Sequence, residues 1–225
     1  RYWLQGSSEP VVLADPARPG NVYVIANDDP NDIHGNGDEG DIVNARSTNN
    51  GSTWVRSTIS AGPANSLQVM PCASIDEFGN IAVAWYDDRN GVINGNGDRT
   101  LDVRATYSTD GGLTWVSSFQ INDVANRITP VTNATAVRFF GADLDFDGST
   151  NDIDGDETYR LGEYFDIEIF GGTAYVLWNG NTFTGANATG HQAWFQSFAI
   201  DGTLSVTADE GATTDSIIVR SIATN

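Results

Sequence analysis

The sequence contains no lysine. All 11 of its basic residues are arginines, and 30 acidic residues oppose them, so the net charge at neutral pH is −19. A strongly negative field repels nucleic acid and anionic membrane surfaces, so we expect no nucleic-acid partner. We also expect no membrane insertion, because no run reaches the roughly 18 apolar residues of a membrane helix. One explanation of such a composition is a salt-adapted or extracellular protein.

Cysteine and histidine are scarce, with one cysteine and two histidines in the chain. Cys72 is the single cysteine, so no disulfide can form within the chain. It lies in an apolar run and is interpreted as a buried small hydrophobic residue. His34 and His191 lack metal-site spacing and receive no role. The chain begins with Arg1 and shows no signal-peptide pattern, so we expect a processed product or a piece of a longer protein.

Helical periodicity is also missing. Twenty-four glycines and seven prolines divide the chain into short runs without a helical apolar stripe. Some runs are apolar on both alternating faces, which predicts strands covered on both sides; they are residues 21–26, 80–86 and 173–178. Each is followed by a polar insertion and a second strand, at residues 41–46, 101–107 and 192–198.

An eight-residue motif occurs twice, 61 positions apart. Residues 47–54 and 108–115 both fit Ser-x-Asp/Asn-x-Gly-x-Thr-Trp. Repetition at a fixed period indicates an array of equivalent units. With the strand pattern, it predicts an all-β chain of three four-stranded antiparallel units, at residues 9–60, 66–122 and 160–208. Units of this kind stack as the blades of a β-propeller.

Three blades do not close a ring, since propellers contain about four to eight. The sequence therefore predicts an incomplete ring. Either the remainder of a larger polypeptide completes it, or a second copy does so in a two-fold homodimer.

These motifs resemble the Asp-box, or BNR repeat, of sialidase-like β-propellers. The motif around Asp110 matches fully, the earlier one has Asn49, and the third unit lacks it. Residues 81–89 are similar to the Trp-x-Asp-x-Arg strand of that family, and residues 162–167 to another blade opening. The resemblance implies a propeller fold in which the boxes lie away from any active site.

The repeated motif predicts a braced hairpin turn. Its Asp or Asn can accept hydrogen bonds from backbone N–H groups of the same turn. Its glycines permit a positive φ, and its tryptophan is expected to pack beneath the turn. We interpret eight residues as structural: Ser47, Asn49, Gly51, Trp54, Ser108, Asp110, Gly112 and Trp115.

The resemblance implies that an active member of the family would use an arginine triad, a Tyr–Glu nucleophile pair and an Asp acid/base. Residues 127–130 depart from the family's Phe/Tyr-Arg-Ile-Pro motif by one inserted residue. Glu163 and Tyr164 are adjacent, so on a strand they point to opposite faces. We therefore assign no catalytic residue, and expect three arginines to pair with acids on their own blades: Arg46, Arg89 and Arg104.

The acidic insertion at residues 143–157 is the candidate metal site. Oxygen-bearing side chains occupy loop positions 1, 3, 5, 9 and 12, with glycine at 6, which is the spacing of a calcium loop. Aspartate rather than glutamate at position 12 predicts weaker binding, and the alternative is a solvated acidic loop. The predicted ligands are Asp143, Asp145, Asp147, Asn151, Asp154 and Asp156.

Related polar insertions at residues 35–38 and 95–98 are interpreted first as plain polar loops. We interpret three tryptophans as residues of the blade core rather than of a ligand-binding surface: Trp85, Trp178 and Trp194. The sequence thus favours a non-catalytic, calcium-stabilised binding or scaffold module of a secreted or cell-surface protein, with a carbohydrate or protein ligand. The alternative is a sialidase-like exo-glycosidase whose site is completed by missing blades or a second copy.

Overall fold

The computed structural model describes residues 10–28, 40–63, 66–92, 100–122, 128, 165–180 and 192–200. These residues form eleven β-strands in three antiparallel sheets and contain no helix. Accordingly, they include no helix of the length and apolarity needed to cross a bilayer.

Each sheet is a meander in which consecutive strands are neighbours. The first contains β1 (Val11–Ala14), β2 (Val22–Asp28), β3 (Asp41–Ser47) and β4 (Val55–Ser60). The second contains β5 (Gln68–Ile75), β6 (Ile81–Asp87), β7 (Asp102–Ser108) and β8 (Phe119–Gln120). The third contains β9 (Asp166–Phe170), β10 (Thr173–Gly180) and β11 (Gln192–Ala199). The fourth strand predicted for this unit falls outside the described residues.

Strand β6 shows why the sheets stack. All seven of its residues are buried, and alternate side chains enter two different cores. Ile81 and Trp85 pack with first-sheet residues such as Tyr23. Ala84 and Tyr86 pack in the core shared with the third sheet. The second sheet is therefore covered on both faces, as its doubly apolar sequence predicts.

The first strands of the three sheets lie side by side, with β5 between β1 and β9. This arrangement places equivalent strands of successive sheets around one axis, which is the geometry of propeller blades. The three tryptophans predicted to be core residues are 5% exposed or less: Trp85, Trp178 and Trp194.

Apolar side chains also occupy the outward faces of the two end sheets. On the first sheet, Val12 is 65% exposed, whereas its neighbours Val11 and Leu13 pack on the core. On the third sheet, Tyr175 and Leu177 are exposed. A propeller blade buries both faces, so both ends of the stack have the surface expected where further blades pack. The described sheets are blades of an all-β propeller.

Candidate functional site

The links between strands distinguish two ends of the sheets, which we call the hairpin end and the loop end. The hairpin end carries the turns β1–β2, β3–β4, β5–β6 and β7–β8. The loop end carries the longer links from β2 to β3 and from β6 to β7, and the passage from each sheet to the next.

The first repeated hairpin, residues 47–54, is braced by side-chain hydrogen bonds. The Ser47 hydroxyl donates to Asn49 Oδ1 (3.0 Å) and accepts the Gly51 N–H (2.9 Å). Asn49 Oδ1 also accepts the Thr53 N–H (2.9 Å). The Trp54 indole N–H donates to the Gly51 carbonyl (3.0 Å), yet the residue is 44% exposed. The Trp54 ring thus lies against its own turn, since a Cβ at Gly51 would lie 3.5 Å from it, while much of the ring's other surface is exposed.

The second repeated hairpin, residues 108–115, has the same serine and Asp/Asn bonds, with aspartate in place of asparagine, but lacks the indole bond. Ser108 donates to Asp110 (2.8 Å) and accepts the Gly112 N–H (2.9 Å). Asp110 accepts the Thr114 N–H (2.9 Å) and hydroxyl (2.6 Å). Partial burial alone would raise the pKa of Asp110, but the hydrogen bonds from Thr114 and Ser108 outweigh it and lower the pKa to about 2. Unlike Trp54, Trp115 packs on the core between the first and second sheets.

A polar cluster in the β1–β2 turn joins the first two sheets at the hairpin end. Asp15 accepts hydrogen bonds from the Tyr23 hydroxyl (2.8 Å) and from Arg18 (3.0 Å). Arg18 also donates to the carbonyl of Gly79, in the second sheet (3.2 Å). Burial opposes ionisation of Asp15, but these donors prevail and its pKa is lowered. Burial raises the pKa of Tyr23.

Buried carboxylates define the loop end. Asp87 is fully buried; it accepts the Trp85 indole N–H (2.9 Å) and forms an ion pair with Arg89 (2.6 Å). Arg89 in turn donates to Ser60 of the first sheet (2.6 Å). The predicted pairing of Arg89 with an acid of its own blade is confirmed, and this pair also joins two sheets.

Three further loop-end carboxylates likewise bind scaffold atoms. Asp88 accepts the Leu67 N–H (2.6 Å) at the entry to β5, and Asp41 accepts the Gly62 N–H (3.2 Å). Asp102 accepts three side-chain amides at 2.7 to 3.1 Å, from Asn90, Gln120 and Asn122. These acids therefore position the backbone and neighbouring side chains at the loop end.

Arg104 lies on β7 beside Trp85 and donates to Ser118. Burial, together with the nearby charge of Arg89, lowers its pKa. These hydrogen bonds join Arg104 to Ser118 rather than to an acid. The Nε atom of Arg46 is buried and makes no hydrogen bond.

Within the described ranges, no three His, Cys, Asp or Glu side chains group closely enough to hold a metal ion. The six predicted calcium ligands, Glu163, Tyr164 and the polar insertions at 35–38 and 95–98 lie outside those ranges. The eight predicted hairpin residues lie inside them, divided between two hairpins at the hairpin end.

Two loop-end features were not anticipated from sequence. Gln68 begins β5 with no exposed surface, and no local pattern marks it. Met70 has a positive φ of 53°, and the β5–β6 register shifts between Val69 and Cys72. Pro71 is a sequence signal for this irregularity, because proline within a strand favours a bulge.

No protein-family model matches this sequence, and no curated protein matches it. Among solved structures, the GH93 α-L-arabinofuranosidase of Fusarium graminearum in complex with arabinobiose is similar, with a TM-score of 0.50 and 12% identity over 87% of this chain. The Hadza microbial sialidase Hz136 aligns with a TM-score of 0.43 and 14% identity over 85% of it. The chain spans about half of each of these structures, 47% and 44%. The likeness to the arabinofuranosidase shows the propeller fold.

Proposed function

We propose that this chain is a segment of a carbohydrate-binding β-propeller, whose sheets are a non-catalytic scaffold and whose loop end holds the ligand. The observation that carries the proposal is the use of the loop-end carboxylates. Asp87, Asp88 and Asp102 are each no more than 4% exposed and bind groups of the scaffold. Acids held in this way support loops, whereas most glycosidases use a pair of carboxyl groups open to the sugar.

Carbohydrate is the proposed ligand class because the similar arabinofuranosidase was solved with arabinobiose. A protein ligand is the other outcome of the same binding test. Since the chain spans 47% of that structure, further blades complete the proposed ring, from a longer polypeptide or a second copy. The exposed apolar Val12 and Leu177 on the two end sheets support this completion.

Calcium is proposed to stabilise the module through residues 143–157. The loop spacing supports the site, and the aspartate at its last position fits the weak affinity of extracellular calcium modules, with dissociation constants of about 10⁻⁴ to 10⁻³ M. We therefore also propose a secreted or cell-surface location. Millimolar calcium should raise the melting temperature and chelator should lower it, since a ligand of the folded state stabilises it.

Asp145→Ala tests the calcium proposal, with Glu77→Ala as the control. Both variants remove one acidic charge, but Glu77 is an exposed residue in the β5–β6 turn. The calcium-dependent shift in melting temperature should disappear in Asp145→Ala and persist in Glu77→Ala. A melting curve that chelator leaves unmoved contradicts the calcium site.

Glycoside hydrolysis is the second candidate, favoured by the fold shared with the arabinofuranosidase. A binding assay on immobilised arabino-oligosaccharides and sialosides should be paired with turnover of fluorogenic α-L-arabinofuranosides and sialosides over a range of pH. The proposal expects binding without turnover. Turnover above the buffer rate would instead establish the hydrolase.

A further inference from the structure

Five buried polar atoms on the surfaces between the first and second sheets have no hydrogen-bond partner in the protein. Among the described residues only two other side-chain atoms share this condition, Gln68 Oε1 and Gln196 Nε2. The five are Asn27 Oδ1, Asn44 Oδ1, Asn44 Nδ2, Arg46 Nε and Trp115 Nε1. We call these atoms the polar seam.

Strand register places Asn27, Asn44 and Arg46 on one face of the first sheet. Asn44 and Arg46 are two positions apart on β3, so they share the face that packs on the second sheet. Asn44 is paired with Ile25, and Asn27 lies two positions further along β2, on that same face. Ile25 belongs to the core between the two sheets, and Asn44 has no exposed surface. Asn44 is therefore internal to the stack, whereas Asn27, Arg46 and Trp115 are partly buried residues whose unpaired atoms are buried.

The second repeated hairpin closes over the seam. A Cβ added at Gly112 would lie 3.2 Å from Asn44 Nδ2, so the hairpin backbone lies against this amide. Trp115, at the end of the same hairpin, packs on the core formed by Tyr23 and Ile25. Its indole N–H thus faces the interface from the second sheet, while the amides and Arg46 face it from the first.

We propose that the polar seam binds ordered water molecules that bridge the first and second sheets. Buried polar atoms in folded proteins nearly always have a partner, and internal water supplies it where protein groups do not. About two waters, with about three hydrogen bonds each, satisfy five such atoms.

The chemistry of the seam selects water over an ion. Three of its atoms belong to N–H donors and two are amide oxygens that only accept. An anion satisfies the donors alone, and a cation satisfies the oxygens while lying beside the charge of Arg46. Water both donates and accepts. Exchanging the N and O of the Asn44 amide changes nothing, because neither atom has a partner.

Water-¹⁷O magnetic relaxation dispersion, which counts long-lived internal waters, tests the proposal on the intact chain. Asn44→Leu should lose at least one such water relative to the unchanged chain. Ile25→Val is the control, because Ile25 is the register partner of Asn44. This substitution removes only a methyl group and leaves a small apolar gap that stays dry. An unchanged count in a folded Asn44→Leu variant overturns the proposal.

If Asn44→Leu does not fold, a crystal structure of the unchanged chain decides the question. Crystals soaked in bromide report anions through anomalous scattering. Water peaks within hydrogen-bond distance of Asn44 and Trp115 support the proposal. A bromide peak at those donors overturns it, and so does a seam in which the five atoms bond only to one another or to protein groups.

Discussion

The phenol of Tyr86 and the backbone of Asn179 exchange two hydrogen bonds across 93 residues of sequence. The hydroxyl donates to the Asn179 carbonyl (3.0 Å) and accepts the Asn179 N–H (3.2 Å). Tyr86 lies on β6 of the second sheet and Asn179 on β10 of the third. One side chain therefore satisfies both backbone groups of a residue in the adjacent sheet. Burial raises the pKa of Tyr86, which keeps the phenol protonated for this role.

Tyr86→Phe should lower the free energy of unfolding by about 1–3 kcal/mol, because it leaves the Asn179 N–H and carbonyl unpaired at a partly buried site. Tyr175→Phe removes the same hydroxyl from a residue 38% exposed on the outer face of the third sheet, and should have little effect. Urea denaturation followed by tryptophan fluorescence measures both. Equal losses in the two variants would show that the hydrogen bonds between Tyr86 and Asn179 do not stabilise the contact between the sheets.

Asp110→Asn should reduce the acid sensitivity of the protein. The folded-state pKa of about 2 lies below the roughly 3.9 of an unfolded aspartate, so this carboxylate stabilises the fold above about pH 4. That contribution is lost as the pH falls towards 2. Solvent screening limits it to about 1 kcal/mol at this partly exposed site.

The natural hairpin with Asn49 supplies the reciprocal test of the same bonds. Asn49→Asp should change the free energy of unfolding, relative to the unchanged chain, by an amount that grows from pH 2 to pH 5. The change that Asp110→Asn causes should become smaller as the pH falls towards 2. Denaturation curves at several pH values measure both. A difference independent of pH in this interval would contradict the role assigned to the ionised Asp110.

Gly79→Ala should destabilise the joint between the first and second sheets. Gly79 has a φ of 78°, and a Cβ there would overlap Arg18 Nη1 and lie 2.8 Å from Asp15 Oδ1. Gly91→Ala is the matched control: its φ is 65° and a Cβ meets no atom within 4 Å. Left-handed strain alone costs about 1–2 kcal/mol. The loss at Gly79 should exceed that at Gly91 in thermal melts, and equal losses would exclude the contact.

Cys72 should not react with thiol reagents in the folded protein at pH 8. Burial, and then the negative charge of Asp166, raises its pKa well above the usual value, so the reactive thiolate is scarce and also inaccessible. One thiol should label when denaturant is added. Rapid labelling of the native chain would mean that the core between the second and third sheets opens readily.

Much of the fold was predictable because its signals are local. The alternation in residues 80–86 indicated a strand with two buried faces, and β6 has them. The serine, Asp/Asn and glycine positions of the repeats indicated their turns, because those bonds join residues at most four apart. The predicted calcium ligands stay a prediction, since they lie outside the described residues.

Contacts between sheets were not predictable in the same way. The repeated motif contains both Trp54 and Trp115, yet only Trp115 is covered, by the first sheet. The first hairpin has no described sheet in the equivalent position, so its tryptophan remains exposed. The Tyr86–Asn179 exchange joins residues 93 positions apart, and no sequence period marks either of them.

A nuclear Overhauser spectrum of the isotope-labelled chain tests the stacked-sheet account most directly. The account predicts cross-peaks between the Tyr86 ring and the Asn179 amide, and between the Tyr23 ring and the Gly112 Hα, since a Cβ at Gly112 would lie 3.3 Å from the Tyr23 ring. Both peaks in one sample place the second sheet between the other two. The absence of either peak from a folded, assigned chain would contradict the stack.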